Sequence, residues 1–590
     1  MNTENENLPV ADQRGNSLVY RNLRIWPPIL LLLVILVCRY ITWIIADGPS
    51  YLWMIAAFGP MLAGVLIVIW WVTLSRASWA ERFLGLAAVI VLAVVTFNLM
   101  DKSMQGPGFI VLSLPIGIAT FAIGAVLCFQ ILSIKRTVIT ILLATIGFGY
   151  SLAIRSEGVR GDFSMDVSWR WTPTAEAEML EARSSRATAL ISDVSNVDAG
   201  LENPQWPAFR GLDRSSSYSG PKIDTRWKTN PPKEVWRVPV GPAWSAFIVA
   251  GDLLFTQEQR GDMEAVVCYW ATNGKEIWSQ ELESRFDDPL GGPGPRSTPT
   301  LDGGAIYACG GEGLVLRLDA KTGDVVWQKD LRDLAQKGPP MWGFSSSPLV
   351  TAGMVIIYAG GNQDQGLLAL DCEDGSLKWS SAAGAQAYGS PQLVQVQGKS
   401  AIGLLDESGV RCYEVETGNA LLTYDWKHSG YRSLQPQMVS ADSMLIPTGM
   451  GSGTRLIQID SAVTPWTASE LWTSRSMRPD FSDIVVHKGY IYGLDGEILT
   501  CIDLKTGKRQ WKGGRFGKGQ LVLLENSDAL LVISEKGEIV LMETNPDDAI
   551  ELGRMQAIDG KTWNHPVVVN KRLFVRNAKE AACFELGLAQ

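Results

Sequence analysis

CIDLKTGKRQW, residues 501–511, has close relatives at 268–278 (CYWATNGKEIW), 317–327 (RLDAKTGDVVW) and 369–379 (ALDCEDGSLKW). The residues before it, EILTCIDL, alternate in polarity as a strand with one buried face does. DLKTG then reads as a tight hairpin. Asp503 and Thr506 can hydrogen-bond the turn's own amides, and Gly507 supplies the left-handed residue that closes a type I turn with a bulge. Four residues past each glycine (Gly274, Gly323, Gly375, Gly507) stands Trp278, Trp327, Trp379 or Trp511. A large flat ring at a fixed place on an outer strand can fill the wedge between neighbouring sheets.

The copies recur every 43 to 52 residues, the spacing of propeller blades. Degenerate copies extend the series. CYEVETGNALL at 412–422 replaces the tryptophan with Leu422, LIQIDSAVTPW is stretched to end at Trp466, and IVLMETNPDDAI keeps only the strand. Eight inner strands can be marked, from WSAFIVAGDLLFTQ to NHPVVVNKRLFVR. The eighth unit lacks its outer strand, while KEVWRVPV, 233–240, is a lone Trp-bearing strand ahead of the first unit. The expectation is an all-β, eight-bladed propeller over 203–590, with 233–240 completing the C-terminal blade and leaving no open edge.

The first quarter of the chain has another character. Five apolar runs, near 25–45, 51–74, 83–99, 108–132 and 137–154, each approach the length of a spanning helix. They follow one another without a cleavage site, so they read as an anchor and not a signal peptide. Arg14, Arg21, Arg24, Arg76, Arg82, Lys135 and Arg136 fall before span one and in alternate loops, whereas the other loops carry only Lys102. The positive-inside rule then places a tail, 1–24, in the cytoplasm, five spans over 25–155 in an inner membrane, and the propeller in the periplasm or its equivalent. Arg39, inside the first span, snorkels to the headgroups or meets a quinone or lipid head. Between anchor and propeller, 156–202 is a connector. It should hold a short amphipathic helix near the membrane surface, capped by Thr172 with Pro173 behind it, and then a flexible stretch.

The LDxxTGxxxW repeat, its eight units, and the phrases WPAFRG, TQEQRG and MWGFSSSP resemble the pyrroloquinoline-quinone-type repeat propellers. That family includes quinoprotein alcohol and glucose dehydrogenases and an outer-membrane-assembly lipoprotein. The resemblance covers about 203–590, and it implies the fold far more strongly than an activity.

Eight cysteines include no CxxC pair, and Cys268, Cys412, Cys501 and Cys583 share one register, which reads as packing between sheets. Three histidines on three different blades give no zinc pattern. TGMGSGTR, 448–455, lacks the Lys-Ser/Thr of a phosphate loop and reads as a blade hairpin. A net charge of -9 without a basic stripe excludes nucleic acid as a partner.

In a propeller the starts of the inner strands converge on a funnel at one face. Here they bring Trp244, Arg296, Trp342, Asp480, Asp483, Lys518, Trp563, Asn564 and His565. Two functions fit. The first is a binding or scaffolding module for a ligand or protein partner, served by the long Pro/Gly-rich loops 283–296 and 331–343. The second, implied by the resemblance, is a membrane dehydrogenase using pyrroloquinoline quinone and calcium. It would oxidise an alcohol or sugar and pass electrons to membrane quinone. There Trp244, Trp342 or Trp563 would stack on the cofactor, with Asn564 beside it, and Arg296 or Lys518 would meet its carboxylates. Asp480 or His565 would be the base, and Asp480 with Asp483 the calcium ligands. The vicinal cysteine pair common in those dehydrogenases is missing, and their calcium set finds no residue-by-residue match, which favours the scaffold.

Overall fold

The computed structural model describes residues 22–44, 51–131, 133–161, 164–184, 194–385, 387–428, 430–449 and 451–589. The tail with Arg14 and Arg21 lies outside the described residues. Two compact units form, one from Met1–Gly158 with Phe163–Trp171, the other from Val159–Asp162 with Thr172–Gln590.

The first unit holds helices α1 (Trp26–Ile44), α2 (Tyr51–Thr73), α3 (Trp79–Leu99), α4 (Leu114–Leu127) and α5 (Ser133–Ala153). Four helical segments are long and apolar enough to cross a membrane: Met54–Thr73, Trp79–Leu99, Phe109–Leu127 and Ser133–Ala153. The first of the five expected spans qualifies only as a shorter apolar helix over its described part, Trp26–Ile41. Hydrogen bonds fix which loops share an end. Leu23 N donates to Phe129 O at 3.5 Å and Arg24 N to Ser75 O at 3.1 Å. Arg136 and Glu81 form a buried ion pair at 2.6 Å, with Glu81 also closing the capping box of α3 from Ser78. At the other end Ser156 N donates to Ser103 Oγ at 3.0 Å.

The second unit is the eight-bladed propeller: six blades of four consecutive antiparallel strands, a seventh whose four gain the parallel strand Ser217–Tyr218, and a closing blade of mixed origin. Blade 1 runs from Ile248 to Glu283, blade 2 from Thr300 to Asp330, blade 3 from Leu349 to Ser381 and blade 4 from Gln392 to Asp425. Blades 5, 6 and 7 span Gln437–Ser474, Ile484–Arg515 and Gln520–Gln556. Blade 8 takes three strands from Val567–Glu585 and its outer strand from Lys233–Pro239, antiparallel to Glu580–Glu585, with Trp236 opposite Cys583. The ring therefore has no seam between its first and last blades.

The repeated turn folds as its chemistry dictates. Thr506 donates to the Asp503 carboxylate from both its amide (2.7 Å) and its hydroxyl (2.6 Å), and Gly507 adopts φ +65°. A bulge follows at the same place in each copy, between the turn and the tryptophan. The tryptophan reaches across to the next blade. Trp236 Nε1 donates to Ala271 O at 2.9 Å, Trp278 to Ala320 O at 3.2 Å, and Trp327 to Cys372 O at 2.8 Å. Trp379 donates to Val415 O at 3.1 Å, Trp472 to Leu504 O at 3.0 Å and Trp511 to Asn545 O at 2.7 Å. Five of these rings lie on the next blade's turn glycine, where a Cβ would sit within 3 Å of the indole.

Two junctions are built otherwise. Blade 4 has Leu422 at the tryptophan position, and the next blade returns Trp466 from its own turn, its amide donating to Leu421 O at 2.6 Å. Both side chains share one buried cluster. Trp466 is thus not the counterpart of Trp511; that place belongs to Trp472, opposite Leu456. Blade 7 has Gly553 there, and Trp227, from the segment before the closing strand, packs on it. The same register explains the cysteines: Cys268, Cys412, Cys501 and Cys583 lie opposite Trp278, Leu422, Trp511 and Trp236, fully buried as thiols.

The connector differs from its expected form. Helix α6 (Ala175–Ser184) is capped by Thr174, whose hydroxyl accepts from Ala177 N at 3.0 Å, and not by Thr172. It docks on blade 1 through Arg183 to Glu281 (2.7 Å) and through Glu176, which accepts from Gly261 N at 2.7 Å. The strand Leu253–Arg260 is buried along its whole length, as the second strands of blades 2, 3 and 7 are. Within the stretch expected to be flexible, Val194–Glu202 forms α7, and 185–193 lie outside the described residues.

Trp327→Ala empties one inter-blade wedge and should cost about 3–5 kcal/mol, as large-to-small changes of buried aromatics do. Val326→Ala, next to it but half-exposed, should be near neutral. Urea unfolding followed by tryptophan fluorescence separates the two; equal shifts would show that the ring does not carry the junction.

Candidate functional site

The funnel is closed from within by the protein's own chain. Thirteen residues, Trp206–Tyr218, touch all eight blades. Trp206 exchanges backbone hydrogen bonds with Val249 (3.1 and 2.8 Å), and Pro207 O accepts from Leu301 N at 2.8 Å. The Arg214 guanidinium donates to Ser347 O (3.1 Å), Pro348 O (3.2 Å) and Pro391 O (2.8 Å). Arg210 donates to Gln435 Oε1 at 3.0 Å, Ile484 O at 3.3 Å and the Asp483 carboxylate at 2.5 Å. Ser217–Tyr218 adds a short parallel strand to Leu523–Leu524, and Phe209 meets the His565 ring edge-on at 4.8 Å. Arg210, Arg214 and Ser216 all hold left-handed backbone (φ +67°, +57° and +56°), at about 1–3 kcal/mol each, which the contacts around them must offset.

Asp483 is the hub of this plug. Burial would raise its pKa, but Arg210, His565 and the Ser216 hydroxyl outweigh that and hold the carboxyl below its usual range. Arg214 has no such partner: burial, and then Arg210, lowers its pKa to about 9. On the plug's outer side a cavity of about 840 Å³ opens between α7 and blades 2 and 3, lined by Leu201, Pro207, Arg214, Leu301 and Val350.

At the funnel mouth the predicted residues gather in three groups. Trp244 and Trp563 lie 4.8 Å apart, with Lys561 Nζ over both rings at 5.0 and 4.3 Å. Their indole N–H groups donate to Gly291 O (3.0 Å) and Glu535 Oε1 (2.7 Å). The residues Val159–Gly161 sit on this corner. Lys561 Nζ donates to Val159 O at 3.4 Å, Gly161 N donates to Glu535 Oε1 at 2.7 Å, and the Lys518 side chain fills the place of a Cβ on Gly161. Arg296 is buried against Asp288 at 2.5 Å and stacks over Phe286. Lys518 pairs with Asp480. Asn564, fully buried, bonds Ala243 O at 3.1 Å and Ser245 O at 2.7 Å and is part of the wall. Across the mouth, Trp342, Tyr388 and Tyr431 form an aromatic group with centroids 4.6 to 5.5 Å apart.

These placements bear on a quinone with calcium. The cations that would meet its carboxylates, Arg296 and Lys518, already face Asp288 and Asp480, and Asp483 is bound to Arg210. Lys561 lies over the Trp244–Trp563 pair, and among the described residues no three His, Cys, Asp or Glu side chains come together to hold a metal. The arrangement does not fit that group. Sequence reasoning placed 203–218 in the propeller, and cited WPAFRG for its resemblance, but gave Arg210 and Arg214 no role. Its one available signal was two arginines four residues apart within an apolar, Pro- and Gly-marked stretch.

A family model described as outer membrane protein assembly factor BamB matches residues 228–341 and 293–513. The assembly factor BamB of Yersinia pestis is 24% identical over 345 residues, covering 54% of this chain and 72% of its own. Among solved structures, BamB of Moraxella catarrhalis covers 60% of this chain and 99% of its own at 16% identity, TM-score 0.42. A quinohemoprotein alcohol dehydrogenase of Comamonas testosteroni covers 70% and 85% at 12% identity, TM-score 0.44. Over residues 228–513 the propeller is thus similar to the PQQ/BamB-like repeat family.

Asp483→Asn leaves Arg210 buried without a counter-charge and should cost about 3–5 kcal/mol. Because the folded pKa lies below the unfolded one, near ~4, the stabilisation is fully present above that value and is lost as pH falls through the folded pKa. Thermal melts at neutral and acid pH should therefore converge for wild type and variant on acidification. Parallel curves would remove Asp483 from the acid response.

Proposed function

We propose that this protein is an inner-membrane scaffold whose extracytoplasmic propeller binds a protein partner on its funnel face. The observation that carries this reading is the pairing inside the funnel: its acids and cations neutralise one another and its axis is filled. What the face offers outward is Met341, 64% exposed, with the half-buried Trp342 and Tyr431 that pack on the buried Tyr388. Aromatic and methionine side chains on a protruding loop suit protein contact. The printed name of the Yersinia pestis relative, an assembly factor, agrees in class.

The topology has support of its own. Arg24, Arg76, Arg82, Lys135 and Arg136 gather at one end of the helical unit, with the start of α1 tied there, so an alternating path through five helices keeps the basic end in the cytoplasm.

The second reading, a quinone-dependent dehydrogenase of an alcohol or sugar, is favoured by one feature, the Trp244–Trp563 pair at the axis. It requires Lys561 to leave that pair. A photo-crosslinking residue at Met341 in the membrane-embedded protein should yield a discrete protein adduct that the same residue at Leu212, on the plug's exposed tip, does not. Titration with pyrroloquinoline quinone and calcium should give no saturable fluorescence change. Stoichiometric, calcium-dependent binding abolished by Trp563→Ala would replace the scaffold with the dehydrogenase.

A further inference from the structure

The hairpin TGMGSGTR, 448–455, is not used by the scaffold reading, yet its serine meets a histidine. The Ser452 hydroxyl lies 2.6 Å from Nδ1 of His428, which comes from a separate loop, the connection between blades 4 and 5. Both residues are half-buried. The second ring nitrogen of His428, Nε2, is buried and has no hydrogen-bond partner among the described residues. A histidine serving only to staple two loops would more usually have both nitrogens satisfied.

The hairpin is shaped around the serine. Gly451 and Gly453 flank it at φ +91° and +86°, conformations that a side chain would strain, so Ser452 stands at the tip of a tight turn. A third connection, between blades 5 and 6, brings Asp480 against the same hairpin: its Oδ1 lies 2.2 Å from where a Cβ on Gly449 would be. Asp480 is itself left-handed, at φ +56°. Strained backbone of this kind, held by its surroundings, clusters at functional sites. Burial, then Arg432, lowers the pKa of His428 against the opposing charge of Asp480, so the imidazole is a neutral base at neutral pH. Tyr431, on the same loop as His428, joins Trp342 and Tyr388 in an aromatic group.

We propose that Ser452 and His428 are a nucleophile and general base that cleave carboxylic esters by acyl transfer. Ser452 Oγ bonds to the ester carbonyl carbon while His428 Nδ1 takes the hydroxyl proton. The carbon–oxygen bond to the alcohol then breaks, and Nδ1 returns the proton to the departing oxygen. Water, deprotonated by the same nitrogen, adds to the acyl-serine; the acid leaves and Ser452 recovers its proton. No oxidant or metal enters the balance. The inference stands apart from the scaffold reading and holds whether or not the face binds a protein.

The test is covalent labelling of the full-length protein in detergent with a fluorophosphonate probe, read by peptide mass spectrometry, beside hydrolysis of p-nitrophenyl acetate. The expected result is a single phosphonylated peptide bearing Ser452 and ester turnover above the protein-free rate. Both should vanish in Ser452→Ala and fall by about 10²-fold or more in His428→Gln, with melting temperatures unchanged. Wild-type protein whose Ser452 stays unlabelled overturns the proposal without recourse to any variant. So does labelling at another serine, or labelling at Ser452 that His428→Gln leaves undiminished.

Discussion

A tryptophan pressed onto the turn of the next blade is the contact on which the rest of the propeller depends. Its ring fills the wedge that opens between two twisted sheets, and its N–H satisfies a carbonyl of the neighbouring turn, so one side chain settles both packing and polarity. At five of these junctions the turn presents a glycine, where the indole already occupies the space of a Cβ. Sequence motif and quaternary-like packing between blades are therefore one constraint. Where the motif fails, the junction is rebuilt by another indole: Trp466 coming back from the opposite side, or Trp227 arriving from outside the repeats.

The axis follows a second logic, electrostatic instead of steric. Eight inner strands leave a channel lined with strand-end carbonyls and hydroxyls, and two arginines from one segment answer them. Only Arg210 has a carboxylate. Arg214 spreads its charge over three carbonyls, a solution that suits a guanidinium and would not suit an ammonium. With the channel filled, chemistry and recognition are pushed out to the loops at the mouth.

How much of this was legible in the chain divides along the same line. Blade count, turn chemistry and inter-blade tryptophans could be read because each repeats, and repetition averages out local noise. Trp466 misled because it stands at the end of a stretched copy, where only pairing with Leu421 and Leu456 could tell it from Trp472. The inner-strand starts did place Trp244, Lys518 and Asp480 at one mouth. Which of them would pair could not be read, since Asp288, Lys561 and Glu535 come from loops with no period. Helix α6 was visible from its acidic first turn, but its landing place was not, because Glu276 and Glu281 mark blade 1 only once the strand is folded.

The plug also sets the order in which the molecule can be completed. The Tyr218 hydroxyl bonds Asn570 O across 352 residues of chain, and Trp236 waits for Cys583. As the polypeptide emerges N-terminus first, Tyr218 and Trp236 are made early and find these partners last. Until 580–585 appear, the first blade and the last one formed each keep an open side. Synthesis of this propeller therefore carries a long interval of exposed edges, and the segment that ends it was the first part of the propeller to arrive.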